Sequence, residues 1–298
     1  TSLLAIVVLA TGAASAADNH LEYKKQRWDF DGVFGKYDKD ALQRGYQVYE
    51  TVCSNCHGVD HLYFRNLGQK GGPFYLAECP EGVAKDVDCR NPNQNPIIKA
   101  IAANYKFQVT DGPDDSGDMF KRKAMPSDHI PGPYANAAQA RAANGGALPP
   151  DLSMVIKARE DGPDYVYSLL TGFEDAPDTV ELTPMQHYNP YFRGDMSQFL
   201  KAQYRNPDGK PLPNVDIPPG GVLAMIPPLS DGIVDYADPA TPKTVDQYAR
   251  DVVEFLSWAS EPSMEERKEL GFMTIAYLLI LAGLLYWSYR AVWANIAH

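Results

Sequence analysis

Cys53-Ser54-Asn55-Cys56-His57 is the only Cys-x-x-Cys-His in this chain of 298 residues. The pattern reads as an attachment site for haem c. Two thiols three positions apart can each add across one vinyl group of the same porphyrin. His57, next in the chain, then falls under the ring, where it can ligate the iron. Two other chemistries use a Cys-x-x-Cys. Half a zinc site needs a second Cys or His pair at matching spacing. The remaining cysteines, Cys79 and Cys89, have nine residues between them and no adjacent His. A thioredoxin-like dithiol would open a helix after a strand, and no β–α alternation surrounds this one.

With haem held, the sixth position on the iron separates two functions. A six-coordinate iron serves an electron carrier, whereas an open position serves a haem enzyme or a gas-binding sensor. Met119, Met125, Met154, Met185, Met196, Met225, His129 and His187 are the candidate ligands. His61, four residues from His57, would struggle to reach the opposite face. A methionine is more often a filler of core gaps than a ligand. Met225 stands apart because Pro227 and Pro228 follow it closely and stiffen the backbone beside the sulfur. Spacing alone leaves the choice open.

These residues need elements to position them. Leu42, Tyr46, Tyr49 and Val52 recur at three- to four-residue spacing, which predicts a helix from Lys39 to Cys53, with Asp38 as its N-cap. That helix delivers the motif at its C-terminal end. Further helices are expected at His61–Leu67, Ile97–Tyr105 and Ala135–Asn144, near Asp151, and at Tyr165–Thr171. Val245, Tyr248, Val252, Phe255 and Leu256 mark an amphipathic helix over Thr244–Ala259. Residues 17–40 read as an extended arm, and 173–222 as a long proline-rich irregular stretch. The class is all-α, a haem domain with long loops.

Both chain ends are apolar. Leu3–Ala16 ends in Ala14-Ser15-Ala16, as an export signal does. Export places the chain in an oxidising compartment, where Cys79 and Cys89 are expected to pair. Leu270–Tyr289 is twenty residues without a charge. At 1.5 Å per residue that is about 30 Å, the thickness of the hydrocarbon layer. Tyr286, Trp287, Tyr289 and Trp293 form an interfacial belt at one end. The division is 1–16 export signal, 17–262 haem domain, and 263–298 linker, transmembrane helix and short tail. The net charge of −11 and pI near 5.0 speak against nucleic-acid binding, which needs a basic face. An acidic surface can instead steer a basic protein partner.

Several stretches together resemble the cytochrome c1 family of haem proteins. Arg44-Gly45-Tyr46-Gln47-Val48-Tyr49 looks like the family's helix leading into the haem motif. Arg141-Ala142-Ala143-Asn144-Gly145-Gly146-Ala147-Leu148-Pro149-Pro150-Asp151-Leu152-Ser153 is the most specific match. Tyr165–Gly172, Tyr188-Asn189-Pro190-Tyr191-Phe192, Met225-Ile226-Pro227-Pro228 and Asp251–Pro262 follow in the family's order. The resemblance implies covalent haem c on Cys53 and Cys56, axial His57 and Met225, and a haem propionate on Arg141. It implies an electron-transfer subunit of a ubiquinol–cytochrome c oxidoreductase rather than a stand-alone enzyme. Its partners would be cytochrome b, a Rieske iron–sulfur protein, a soluble c-type cytochrome and membrane lipid. The setting would be a bacterial inner membrane, with a single span and the haem domain on the periplasmic side. Residues 194–219 and the Cys79–Cys89 loop depart from the family pattern.

Overall fold

A computed structural model describes residues 20–294, so the expectation for residues 1–16 lies outside the described residues. The described chain forms two compact units. One comprises Tyr23–Thr171 with residues 227–294; the other comprises residues 20–22 with Gly172–Ile226.

The larger unit is built on two helices, α1 (Lys39–Thr51) and α6 (Val245–Ser260). Asp38 caps α1, its carboxylate accepting from the N–H groups of Asp40 at 2.8 Å and Ala41 at 3.3 Å. Thr244 caps α6 through the Gln247 N–H. The apolar faces of both helices meet in an aromatic seam. Phe255 lies against Tyr46, Tyr49 and Trp258, with ring centroids 5.6, 5.6 and 5.8 Å away. At its centre the Arg44 guanidinium forks onto Asp251 at 3.0 and 2.9 Å, and the Tyr236 hydroxyl donates to the same carboxylate at 2.7 Å.

Around this pair lie α2 (Phe64–Leu67), α3 (Pro96–Asn104), α4 (Ala137–Ala143) and α5 (Gly162–Leu170). The arm preceding α1 packs on α5 as the sequence suggests. The Lys24 N–H donates to Ser168 at 2.7 Å, and the Trp28 indole donates to Asp164 at 2.8 Å. Cys79 and Cys89 are joined in a disulfide, with Cα atoms 5.2 Å apart. From Met264 to Trp293 runs α7, a helix of 30 residues, about 45 Å long. Its apolar side chains are exposed, and it is the one helix among the described residues long and apolar enough to cross a membrane.

The all-α expectation holds only in part. Two antiparallel ladders are present: β1 (Val109–Asp111) with β2 (Phe120–Arg122), and β3 (His187–Asn189) with β4 (Gly221–Leu223). Three-residue strands are too short to show a period of two in the sequence. The second ladder belongs to the smaller unit. There Met196 is buried with Val180 and Tyr188 and covered by Phe199, Ile217 and Val222. The 194–219 stretch therefore contributes Met196, Phe199 and Ile217 to a small core it shares with the rest of this unit. A second correction concerns the helix expected near Asp151, where the chain makes only turns. The hydrogen bonds there are those of turns: the Val155 N–H bonds the Leu152 carbonyl at 3.3 Å and the Lys157 N–H the Met154 carbonyl at 3.1 Å, each three residues back.

Candidate functional site

Helix α1 ends at Thr51, and a single 3-10 turn, Cys53–Asn55, carries the motif. The N–H groups of Cys56 and His57 both donate to the Cys53 carbonyl, at 3.1 and 2.9 Å. The two middle residues finish the helix end. Ser54 is buried and its hydroxyl donates to the Glu50 carbonyl at 2.7 Å. The Asn55 amide donates to the carbonyls of Thr51 and Val52 at 2.9 and 3.1 Å. This leaves Cys53 and Cys56 as unpaired thiols on one tight turn. Burial raises the Cys53 thiol pKa to about 12, so it stays protonated at neutral pH.

Residues 150–153 clamp the chain just after the motif. His57 Nδ1 lies 2.7 Å from the Pro150 carbonyl. A carbonyl can only accept, so Nδ1 carries the proton and Nε2 presents its lone pair. Burial lowers the His57 pKa, only partly offset by that carbonyl, which keeps the imidazole neutral. The Leu152 N–H bonds the Gly58 carbonyl. Asp151 accepts from the Asp60 N–H at 2.7 Å, and Ser153 from the His61 N–H at 3.1 Å. Ser260 at the end of α6 donates to the Ser153 carbonyl at 2.9 Å, tying the clamp to the core.

The approach to this clamp is shaped by α4. After Ala143 the chain reverses through Gly145 and Gly146, at φ of +60° and +93°. The Gly146 N–H closes back onto the Arg141 carbonyl at 2.8 Å, a C-terminal cap that needs left-handed residues. Arg141 is exposed, and its guanidinium donates to the Gly146 carbonyl at 3.1 Å. An open cleft of about 1030 Å³ is lined by Tyr105, Lys106, Phe107, His129 and Tyr134 among others. No motif residue lines it, but the Lys106 ammonium reaches Asn55 at 2.8 Å.

The structure brings Cys53, Cys56, His57 and the 141–153 segment into the larger unit. Met225 belongs to the smaller one, two residues beyond β4. Of the other sixth-ligand candidates, Met196 is committed to a core. Met119, Met125, Met154 and Met185 are exposed, and His129 stacks on Tyr63 with centroids 3.8 Å apart. His187 is paired into β3 opposite Leu223. Among the described residues no three His, Cys, Asp or Glu side chains converge as a metal site.

Two unpaired thiols and an oriented imidazole in one turn are the donor set that a covalently held haem requires. Residues 28–296 match the sequence profile of the Cytochrome C1 family. The chain belongs to the cytochrome c1 family. It is 40% identical to cytochrome c1 of Rhodospirillum rubrum, an alignment covering 98% of this chain and 95% of that one. It is 39% identical to cytochrome b/c1 of Bradyrhizobium diazoefficiens, covering 98% of this chain and 40% of the longer relative. It is 38% identical to the mitochondrial cytochrome c1 haem protein of Saccharomyces cerevisiae, covering 97% and 77%. The family resemblance read from the sequence is therefore correct, and the single apolar helix fits a membrane protein of this family. The Pro150, Asp151 and Ser153 contacts were not read as part of the site. They lie about 90 residues from the motif, and no local spacing pairs such positions.

Proposed function

We infer that this chain is a membrane-anchored electron carrier within a ubiquinol–cytochrome c oxidoreductase. It takes an electron from a Rieske iron–sulfur protein and passes it to a soluble c-type cytochrome, with cytochrome b as its neighbour in the membrane. The observation that carries the reading is the His57 imidazole, oriented by the Pro150 carbonyl, directly after a turn bearing two unpaired thiols. Bound haem c supplies a one-electron couple. Cys53 and Cys56 would hold it, His57 Nε2 and the Met225 sulfur would ligate its iron, and Arg141 would pair with a propionate through N–H groups not used on Gly146.

The chain's own residues keep that couple stiff. The Pro150 carbonyl fixes the tautomer and orientation of His57. The Asp151 and Ser153 contacts hold the loop behind it. A fixed ligand set changes little between oxidation states, which suits fast electron transfer. The Cys79–Cys89 disulfide suits an oxidising compartment, in keeping with a periplasmic haem domain on a single span in a bacterial inner membrane. The division into a haem domain over 17–262 and an anchor over 263–298 follows from the same reading. The net charge of −11 suits a basic electron acceptor.

Mass spectrometry of the protein from haem-competent cells tests the attachment. The peptide containing residues 53–57 should carry the mass of one haem, and acidified acetone should not extract it. Replacing both Cys53 and Cys56 by alanine should leave no covalent haem. Haem that extracts freely from the unaltered chain would overturn the reading.

A further inference from the structure

Residues 29–36 form a loop with fixed ends and a bare tip. The Asp31 N–H donates to the Trp28 carbonyl at 3.1 Å, and the Lys36 N–H to the Asp29 carbonyl at 3.0 Å. The Lys268 ammonium, on α7, donates to the carbonyls of Phe30 and Gly35 at 2.6 and 3.2 Å. One lysine thus pins both sides of the loop to the start of the apolar helix. Trp28 and Phe30 are buried and stack on each other, with centroids 5.7 Å apart. Val33 and Phe34 at the tip are 64% and 78% exposed.

The tip stands beside α7. The Phe34 ring meets Phe272 edge-on, with centroids 5.8 Å apart. Phe272 is the third residue of the uncharged run that begins at Leu270, so it lies roughly 3 Å along the helix from its first apolar residue. Loop and helix enclose a groove of about 460 Å³. Lys36, Glu265, Lys268 and Glu269 contribute charge to its lining, and Val33, Phe34, Phe272 and Met273 the apolar remainder. Leu270, Phe272, Met273 and Ile275 on the same stretch of α7 are each more than half exposed. The apolar surface of the tip is therefore continuous with that of the helix, at the level where charge gives way to hydrocarbon.

We propose that the 32–35 loop is a second membrane contact, with Val33 and Phe34 seated among lipid acyl chains just below the headgroups. This rests on α7 being a membrane span. Whatever solvent covers the start of that span also covers a tip packed against it. The charged part of the groove then lies at headgroup level, where Lys and Glu side chains stay hydrated. Two contacts fix the tilt of the larger unit on the membrane, whereas a lone helix leaves it free to swivel.

Site-directed fluorescence on the full-length holoprotein in phosphatidylcholine vesicles tests this. The disulfide takes Cys79 and Cys89, and in the holoprotein of the proposed function haem takes Cys53 and Cys56, so Phe34→Cys gives a single labelling site for an environment-sensitive dye. The dye should emit blue-shifted. Lipids carrying a nitroxide near the top of the acyl chain should quench it several-fold more than lipids carrying one near the chain end. Ser116→Cys, on the exposed β1–β2 turn, should give water-like, unquenched emission. Leu279→Cys, midway along α7, should be quenched best by the deep nitroxide. Water-like emission at position 34 with quenching at 279 overturns the loop contact and leaves the span standing. No quenching at 279 overturns the span itself. Blue-shifted emission at 34 that no lipid nitroxide quenches overturns the proposal in favour of a tip buried against the protein itself.

Discussion

Replacing Gly45 by alanine should destabilise the larger unit by about 3 kcal/mol. Helix propensity alone argues the other way, since alanine in a helix interior is favoured over glycine by roughly 0.5–1 kcal/mol. Packing decides the sign. A Cβ at position 45 would lie 2.0 Å from the Asp251 carbonyl oxygen and 2.7 Å from the Phe255 Cβ. The oxygen belongs to the backbone of α6, so no side-chain rotation relieves the clash. Separating α1 from α6 would loosen the Arg44–Asp251 fork and the Tyr46 and Tyr49 contacts with Phe255. It would also shift the helix that ends at the haem motif. Thermal unfolding of the holoprotein in detergent checks this: Tm should fall by several degrees and the yield of haem-loaded protein should drop with it. An unchanged or higher Tm would mean that the seam has slack at this point.

Glu254→Gln should reduce the loss of stability as pH rises between about pH 5 and pH 8. Glu254 is 4% exposed on α6, and its carboxylate accepts from the Asp38 N–H at 3.1 Å. Burial raises its pKa to about 8; that N–H lowers it, while Asp29, Asp38 and Asp251 raise it further. An unfolded glutamate titrates near 4.3. Between those values the folded chain holds a proton that the unfolded chain has released, so stability falls as pH rises through the window. At roughly 1.4 kcal/mol per pH unit the loss is on the order of 4 kcal/mol by pH 8. Glutamine keeps an acceptor for the Asp38 N–H and carries no charge. The variant should therefore match the parent near pH 4.5 and exceed it at pH 8.5, as read from Tm at the two pH values. Equal pH slopes for parent and variant would place the titrating group elsewhere.

The features legible in the sequence were those encoded by neighbours. The Asp38 cap, α1 and α6 rest on periodicity and capping within a few turns, and both helices appear within two residues of their expected ends; α7 was legible as an uncharged apolar run, but its helix extends six residues before Leu270 and four beyond Tyr289. The Cys79–Cys89 pairing needed only proximity and an oxidising compartment. The features that stayed hidden depend on distant partners. Leu152 and Ser153 bond the loop after the haem motif, and the chain beyond them makes turns where a helix was expected. Gly45 reads as a weak helix residue until α6 is seen pressed against it. The extra 194–219 stretch has the composition of a loop, yet Met196 gives it a buried anchor. The motif itself was legible at once, whereas its support by Pro150 was not, because a backbone carbonyl leaves no residue-type signal.

The most direct measurement is the absorption spectrum of the reduced protein with and without carbon monoxide, taken on the unaltered chain and on Met225→Leu. With His57 and Met225 on the iron, the unaltered protein should show no change on adding the gas. The variant, lacking the sulfur, should bind it and show a lowered reduction potential. A parent that binds carbon monoxide, or a variant that stays closed at unchanged potential, would contradict the account of a six-coordinate electron carrier with these two ligands.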